Sequence, residues 1–125
     1  MINLTVEEII RLHEKLICRT GGMRGIKDAG LLESAVYGAM QAYDEIEAYP
    51  TPAERAARLA FALTMNHPFA DGNKRTGILV MLMTLRANGV AIAYTQHELI
   101  KLGYGIADGT KGYPDILKWI YGHTV

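Results

Sequence analysis

The residues able to do chemistry are concentrated between His67 and Gly77, in the segment HPFADGNKRTG. Imidazole exchanges a proton near neutral pH, which makes His67 the candidate general base. Asp71 is the candidate metal ligand, because Mg²⁺ is usually held by one or two carboxylates together with phosphate oxygens and water. The segment supplies an imidazole, a carboxylate, an amide, an ammonium and a guanidinium group, on His67, Asp71, Asn73, Lys74 and Arg75.

The residues that follow Asp71 predict an anion site at the start of a helix. A helix beginning at Asn73 presents unpaired backbone amides and the positive end of its dipole. Gly72 permits close approach to the backbone, and Lys74 and Arg75 add two positive charges at the same point. Acidic residues ordinarily favour this position, so a Lys-Arg pair there indicates a ligand with several negative charges. Polyphosphate is the natural candidate, because arginine binds phosphate through two hydrogen bonds and lysine binds it as a point charge.

This set of groups comprises a base, a metal ligand and a phosphate cradle, which transfer from a nucleotide to a hydroxyl requires. Taken one at a time, the same residues have ordinary interpretations, with His67 in a turn, Asp71-Gly72 as a tight turn and Asn73 as a helix cap. Phe69 is assigned to packing. The segment is not a P-loop, which needs a glycine well before a Gly-Lys-Ser/Thr triplet. A nucleotide site explains why the two basic residues and the acid stand together.

The composition of the chain argues against several classes of protein. Its 13 basic residues balance 13 acidic ones, which argues against direct nucleic-acid binding, because that attraction needs clustered Lys and Arg. The longest uncharged apolar run, Thr76 to Leu85, is shorter than the ~20 residues that span a membrane. A lone cysteine, Cys18, cannot form an internal disulfide. With no signal peptide evident, we expect one cytoplasmic domain covering residues 1–125.

Hydrophobic periodicity and helix-start signals predict an all-α bundle of about six helices. The helix before the motif is expected to end at about Asn66, because Pro68 disfavours helical geometry at His67. The stretch between Tyr43 and Thr51 is too short and mixed for a helix, so we expect a loop or small hairpin there. The helix boundaries are indicated by capping boxes at Thr5–Glu8, Thr51–Glu54 and Thr95–Glu98, a cap at Asp28, stops near Gly21-Gly22, Asn88-Gly89 and Gly105, and a last helix from Pro114 to Gly122.

The helix that follows the motif is expected at the centre of the bundle. Its apolar residues fall on every side, and a helix of that kind is buried all round. These residues are Ile78, Leu79, Val80, Met81, Leu82, Met83 and Leu85.

The remaining charged and titratable residues are assigned to the surface or to packing. The stretch from Asp28 to Glu54 contains six acidic residues and no Lys or Arg, and a solvated acidic surface is the expectation. The other histidines, His13, His97 and His123, are interpreted as surface or packing residues.

The string HPFADGNKR resembles the signature of the Fic/Doc family, and its lysine, Lys74, is similar to that of the Doc (death-on-curing) toxin branch. The similarity covers roughly Leu12 to Gly89. It implies a compact Fic-like helical bundle whose active loop lies between two central helices. Further residues that resemble the Doc-type pattern are Gly21-Gly22, Gly25-Ile26, Asp28 and Gly30 to Ala35.

The resemblance also implies an activity. Fic enzymes usually transfer the AMP part of ATP to a protein hydroxyl, with glycine where this chain has Lys74 and a second arginine where it has Ile78. Doc-type toxins carry the lysine, phosphorylate a threonine of translation elongation factor Tu and stop protein synthesis. We therefore expect a kinase toxin of a type II toxin–antitoxin system. The alternatives are a Fic adenylyltransferase and a non-catalytic module that binds a nucleotide or an antitoxin.

The resemblance also implies a flap, an antitoxin and a role for each signature residue. Asp44 to Pro50 would form the flap that holds the target segment by edge pairing. Doc-like proteins often have a basic residue two positions before the histidine, where this chain has Met65. No built-in inhibitory helix motif is found, which implies an antitoxin supplied in trans. The implied site is His67 as catalytic base, Asp71 as Mg²⁺ ligand, and Gly72, Asn73, Lys74 and Arg75 as contacts to the phosphates of ATP.

Overall fold

A computed structural model describes residues Met1–Val125 as six helices and one short hairpin, which confirms the all-α prediction. The predicted loop or hairpin is an antiparallel hairpin of two short strands. No helix has the length and apolar character needed to cross a membrane. The elements are α1 (Val6–Thr20), α2 (Ala29–Ala39), β1 (Ala42–Tyr43), β2 (Ile46–Glu47), α3 (Pro52–Asn66), α4 (Asn73–Ala87), α5 (Gln96–Ala107) and α6 (Tyr113–His123).

The helix starts follow the capping signals of the sequence. Capping boxes are present at the starts of α1 and α5, and the Asp28 carboxylate accepts from the amide of Leu31 at 3.0 Å to begin α2. At α3 the Thr51 hydroxyl accepts from the Glu54 amide as predicted. The predicted return bond is wrong, because the Glu54 carboxylate accepts from the Thr51 hydroxyl instead of the Thr51 amide. The Thr51 side chain therefore caps α3, but the second hydrogen bond of the predicted capping box is absent.

Two helix ends lie further along the chain than predicted. Helix α5 continues past Gly105 to Ala107, and α6 passes through Gly122 to end at His123. Packing of the apolar faces of both helices accounts for the extension, because Ile106 and Ile120 are fully buried near those ends.

Helices α3 and α4 form the central pair of the bundle. A Cβ atom at Gly77 of α4 would lie only 2.6 Å from Thr64 Oγ1 and 3.0 Å from the Ala60 carbonyl oxygen of α3, so glycine permits this close crossing. One hydrophobic core joins the pair to α5 and α6, and a second joins it to α1 and α2. The first core includes Ala56, Met81, Leu102, Ile106 and Ile116, and the second includes Ile9, Leu32, Val36, Leu63 and Val80.

The prediction that α4 is buried on every side is wrong for one face. Ile78, Val80, Met81 and Leu85 are buried, whereas Leu79, Leu82 and Met83 are only partly covered. Leu79 and Leu82 face an open groove between α1, α4 and α5, which no other element of the chain fills, and Met83 lines a neighbouring cavity beside Val90 and Ile92. An apolar face is thus left available on the central helix.

An ion pair joins the end of α6 to the start of α5. The His123 Nε2 atom donates to Glu98 Oε2 at 2.7 Å, and Nδ1 donates to the Trp119 carbonyl oxygen at 2.7 Å. Both ring nitrogens face acceptors, and the charged imidazole, which has two N–H donors, satisfies both contacts. The bond to Glu98 raises the pKa of His123, and the bond from His123 lowers the pKa of Glu98 from 4.5 to about 2. His123, interpreted above as a surface or packing residue, is therefore a charged link between two helices.

We expect this ion pair to make stability depend on pH. The contribution of Glu98 is complete above its unfolded pKa of 4.5 and is lost as the pH falls toward 2. The contribution of His123 is complete below its unfolded pKa of 6.5 and is lost as the pH rises through the higher folded pKa. Urea unfolding should therefore show the largest stability difference between wild type and His123→Gln at pH 4.5 to 6.5. His97→Gln, a change at an exposed position, is the control. A stability difference between wild type and His123→Gln that does not vary with pH would contradict the expectation.

Candidate functional site

The loop from His67 to Gly72 joins the two central helices and carries the signature. Helix α3 ends because His67, which precedes Pro68, adopts a left-handed conformation with φ 50° and ψ 54°. Gly72 is also left-handed, with φ 74°, and immediately precedes α4. The Phe69 side chain is buried beneath the loop, which confirms its assignment to packing. These features turn the chain sharply and hold its polar residues at one end of the central pair.

The Asn73 side chain fastens the loop from within. Its Oδ1 atom accepts from the Phe69 amide at 2.9 Å, and its Nδ2 atom donates to the Phe69 carbonyl oxygen at 3.0 Å. A phosphate contact from Asn73 would therefore come from its backbone amide at the start of α4. No side chain caps that helix end, and its first residues line the cavity, so the unpaired backbone amides of a helix start are available there.

His13 of α1 supports the same loop from below. Its imidazole is 1% exposed, and Nε2 donates to the Asp71 carbonyl oxygen at 2.8 Å. The ring also stacks on Phe69, with centroids 3.8 Å apart and an interplanar angle of 7°. The sequence interpretation assigned His13 to packing or the surface and missed this hydrogen bond, because no local pattern links two residues 58 positions apart.

The Asp71 carboxylate is held by backbone amides. It accepts from Met23 at 3.1 Å and from Gly72 at 2.8 Å, and these bonds, chiefly the one from Met23, lower the pKa of Asp71. A Cβ atom on Gly22 would lie 2.6 Å from Asp71 Oδ2, so glycine allows the turn after α1 to approach the carboxylate. The side chain is partly exposed and ionised at neutral pH.

The side chains of the site suit a Mg²⁺ ion that is bound jointly by the protein and by other ligands. No group of three or more His, Cys, Asp or Glu side chains could enclose a metal. Asp71 is a single accessible, ionised carboxylate beside an uncapped helix start. That donor set suits Mg²⁺ bound together with nucleotide phosphates and water, not a metal held by protein ligands alone.

Lys74 and Arg75 contact different helices on the two sides of the start of α4. The Arg75 guanidinium donates to the Thr20 hydroxyl and to the Gly21 carbonyl oxygen at the end of α1, and lies 3.7 Å from Asp71. The Lys74 ammonium lies over the aromatic ring of Tyr104 on α5, 3.4 Å from its centroid. Thus α1 and α5 flank the helix start and each orients one positive charge.

All six predicted site residues line one cavity of about 420 Å³. His67 is exposed at its edge, and Thr64 of α3 and Ala107 of α5 complete its wall. The structure therefore brings a base, a carboxylate, helix amides and two cations together around a space open to solvent. The predicted members are His67, Asp71, Gly72, Asn73, Lys74 and Arg75.

The hairpin that the sequence interpretation assigned to the flap is anchored by a buried arginine. Arg55 is 5% exposed and donates to the Tyr49 carbonyl oxygen at 2.9 Å and to Asn3 Oδ1 at 2.7 Å. It also forms an ion pair with Glu47 of β2 at 3.0 Å. Sequence reasoning missed Arg55 because an arginine in a helical pattern gives no signal of burial.

The sequence of the chain matches a known protein family. The sequence model of the Fic/DOC family matches residues 3–85. The chain belongs to the Fic/DOC family. The match covers α1 to α4 and therefore includes the signature loop, whereas α5 and α6 lie beyond it.

Two relatives place the chain beside the Doc toxins of this family. It is 36% identical over 125 residues to "Protein kinase doc" of Escherichia phage P1, covering 98% of each chain. It is 38% identical over 73 residues to "Toxin Doc" of Mycolicibacterium smegmatis, covering 58% of this chain and 56% of that protein. The resemblance to Doc-type toxins is confirmed.

We expect the change His13→Phe to loosen the signature loop. Phenylalanine keeps an aromatic ring against Phe69 but leaves the Asp71 carbonyl oxygen without its donor, which costs about 1–3 kcal/mol of unfolding free energy. Hydrogen exchange should be faster at the amides of residues 69–72, and urea unfolding should report the stability loss. His97→Phe, at an exposed position of α5, is the control. Unchanged exchange in the loop of His13→Phe would show that the bond does not hold it.

Proposed function

We propose that this Doc-type toxin is a protein kinase that transfers phosphate from ATP to a threonine hydroxyl of a translation factor, elongation factor Tu. The observation that carries the proposal is the cavity in which His67 faces an uncapped helix start bearing Lys74 and Arg75. A near full-length relative named "Protein kinase doc" supports transfer to protein at the level of the family.

His67 would act on the hydroxyl of the target. It is exposed at the edge of the cavity, so an incoming hydroxyl can reach its imidazole from solvent. The hydroxyl oxygen bonds to the terminal phosphorus of ATP while the bond from that phosphorus to the ADP oxygen breaks. His67 takes the proton of the hydroxyl, and ADP leaves with the electron pair of the broken bond.

The helix start would hold the phosphates of ATP. The first amides of α4 point toward the cavity, and Lys74 and Arg75 supply positive charge on its two sides. Asp71 would hold Mg²⁺, which when bound neutralises phosphate charge. Phosphoryl transfer depends mainly on positioning and electrostatic stabilisation, and this arrangement offers both.

Two side chains favour transfer of phosphate over transfer of AMP. Lys74 occupies the wall of the cavity where glycine would leave room for another phosphate. Ile78, at the position of the second arginine of Fic enzymes, is buried and apolar and cannot bind an anion. Met65 is 41% exposed and also brings no charge, so the phosphates rely on Lys74, Arg75 and the helix amides. The cradle therefore offers fewer cationic contacts than a signature with a second arginine at the position of Ile78 would offer.

Mass spectrometry of the target tests the proposed reaction. After incubation with ATP, Mg²⁺ and the protein, elongation factor Tu should gain the mass of one phosphate on a threonine. His67→Ala should lower the rate by about 10²- to 10⁴-fold, because a positioned base contributes that much to the transition state. His97→Ala, on the surface of α5, should retain the activity. A gain of AMP would identify an adenylyltransferase, and nucleotide binding without any transfer would identify a non-catalytic module.

We further propose that the antitoxin covers the open groove beside the site. The groove has a volume of about 660 Å³ and is lined mainly by apolar side chains of α1, α4 and α5, such as Leu16, Leu79 and Ile100. Lys74 and Arg75 line both the groove and the site cavity. An apolar segment with acidic residues at one end would therefore fit the groove and reach the cations of the site.

Co-expression with the cognate antitoxin tests this partner. Leu82→Asp places a charge in the groove and should weaken neutralisation by at least about tenfold, the effect of losing one apolar anchor. Toxicity in the absence of the partner should persist, because Leu82 lies outside the site cavity. Tyr121→Asp on the exposed side of α6 is the control and should still be neutralised. Neutralisation of Leu82→Asp at the wild-type level would exclude the groove as the docking surface.

A further inference from the structure

The ammonium of Lys74 has an aromatic partner and no carboxylate. Its Nζ atom lies 3.4 Å from the centroid of the Tyr104 ring, within the range of a cation–π interaction. The ion pairs of the structure involve Arg55, Arg75 and His123, so no acidic side chain neutralises Lys74. The aromatic face is therefore what orients this ammonium.

The helix that supplies the ring is also shaped to receive the lysine stem. A Cβ atom at Gly103 would lie 3.3 Å from Lys74 Cγ and 3.5 Å from Lys74 Cδ. Glycine at this position lets the stem lie against α5, and the next residue places its ring beneath the ammonium. Both residues lie outside residues 3–85, the part of the chain that matches the family.

We propose that Tyr104 is a positioning residue that holds Lys74 at the wall of the nucleotide cavity. The inference rests on the proposed function for its effect on catalysis. A carboxylate would hold the lysine more strongly but would cancel its charge, whereas an aromatic ring orients the ammonium and leaves that charge available to phosphate. A lysine held in this way loses less conformational freedom when ATP binds.

The expected effect is on nucleotide binding more than on the chemical step. Removing the ring frees the side chain of Lys74, so the KM for ATP should rise about threefold to tenfold, the range that a partly exposed cation–π contact supports. The kcat should change less, because His67 and the helix amides keep their places.

Three variants separate the ring from the hydroxyl and from a general loss of stability. Tyr104→Phe keeps the ring, and Tyr104→Leu removes it while retaining much of the apolar volume. Tyr104 is 60% exposed and Tyr121 of α6 is 57% exposed, so Tyr121→Leu is a matched control. Thermal unfolding checks that each variant is folded.

Proton–carbon NMR supplies a readout that does not depend on activity. The ε-methylene protons of Lys74, assigned with the help of Lys74→Arg, should be shifted upfield by the ring current in wild type and Tyr104→Phe. The shift should disappear in Tyr104→Leu and persist in Tyr121→Leu. The KM for ATP should rise in Tyr104→Leu alone, and the dissociation constant of a fluorescent ATP analogue should rise with it.

The NMR shift, the KM and the nucleotide affinity each support or overturn the role of Tyr104. A wild-type Lys74 without the upfield shift would overturn the contact. A shift that is lost in Tyr104→Leu without a change in KM or nucleotide affinity would overturn the positioning role. If wild type transfers AMP or transfers nothing, the proposed function fails, and the NMR shift together with nucleotide affinity still decides the role of Tyr104.

Discussion

The close crossing of α3 and α4 is the constraint on which the site depends. Gly77 allows the two helices to approach until a single added carbon would collide with the Thr64 hydroxyl. The loop from His67 to Gly72 then has to reverse the chain over a short distance, which it does with two left-handed residues. This places an exposed imidazole and an uncapped helix start on the same cavity. The geometry of the candidate site is thus a consequence of how tightly two helices pack.

The remaining helices act on this central pair from both sides. Helix α1 contributes the buried His13 beneath the loop, while the turn after it supplies the amide that holds the Asp71 carboxylate. The end of α1 also orients Arg75, and α5 orients Lys74 on the other side. Lys74 has no acidic partner, so its charge remains uncancelled, whereas Arg75 forms an ion pair with Asp71 at 3.7 Å. An anion approaching the helix start therefore meets preorganised positive charge.

The acidic stretch from Asp28 to Glu54 has a more structural role than a solvated surface alone. Asp28 caps α2, the Glu54 carboxylate accepts from the Thr51 hydroxyl at the start of α3, and Glu47 pairs with the buried Arg55 that anchors the hairpin. These acids hold α2, the hairpin and α3 in place around the site.

The sequence by itself determined the helices and the loop, and it indicated the candidate site residues that line one cavity. Caps, proline and glycine act on neighbours within a few positions, so Asp28, Thr95 and Pro68 indicated helix boundaries correctly. The signature also lies within one short segment, which made its residues visible together. Hydrophobic periodicity showed that α4 was central, but it could not show that one face would remain uncovered.

The tertiary structure alone decided which distant side chains support the site and the hairpin. His13, Arg55 and Tyr104 carry no local signal, because each acts on residues that packing, not chain connectivity, brings near. Their roles depend on burial and on contacts between helices, which a pattern along one helix does not specify. The same reason explains the Asn73 side chain, whose hydrogen bonds to Phe69 exist only once the loop has turned back on itself.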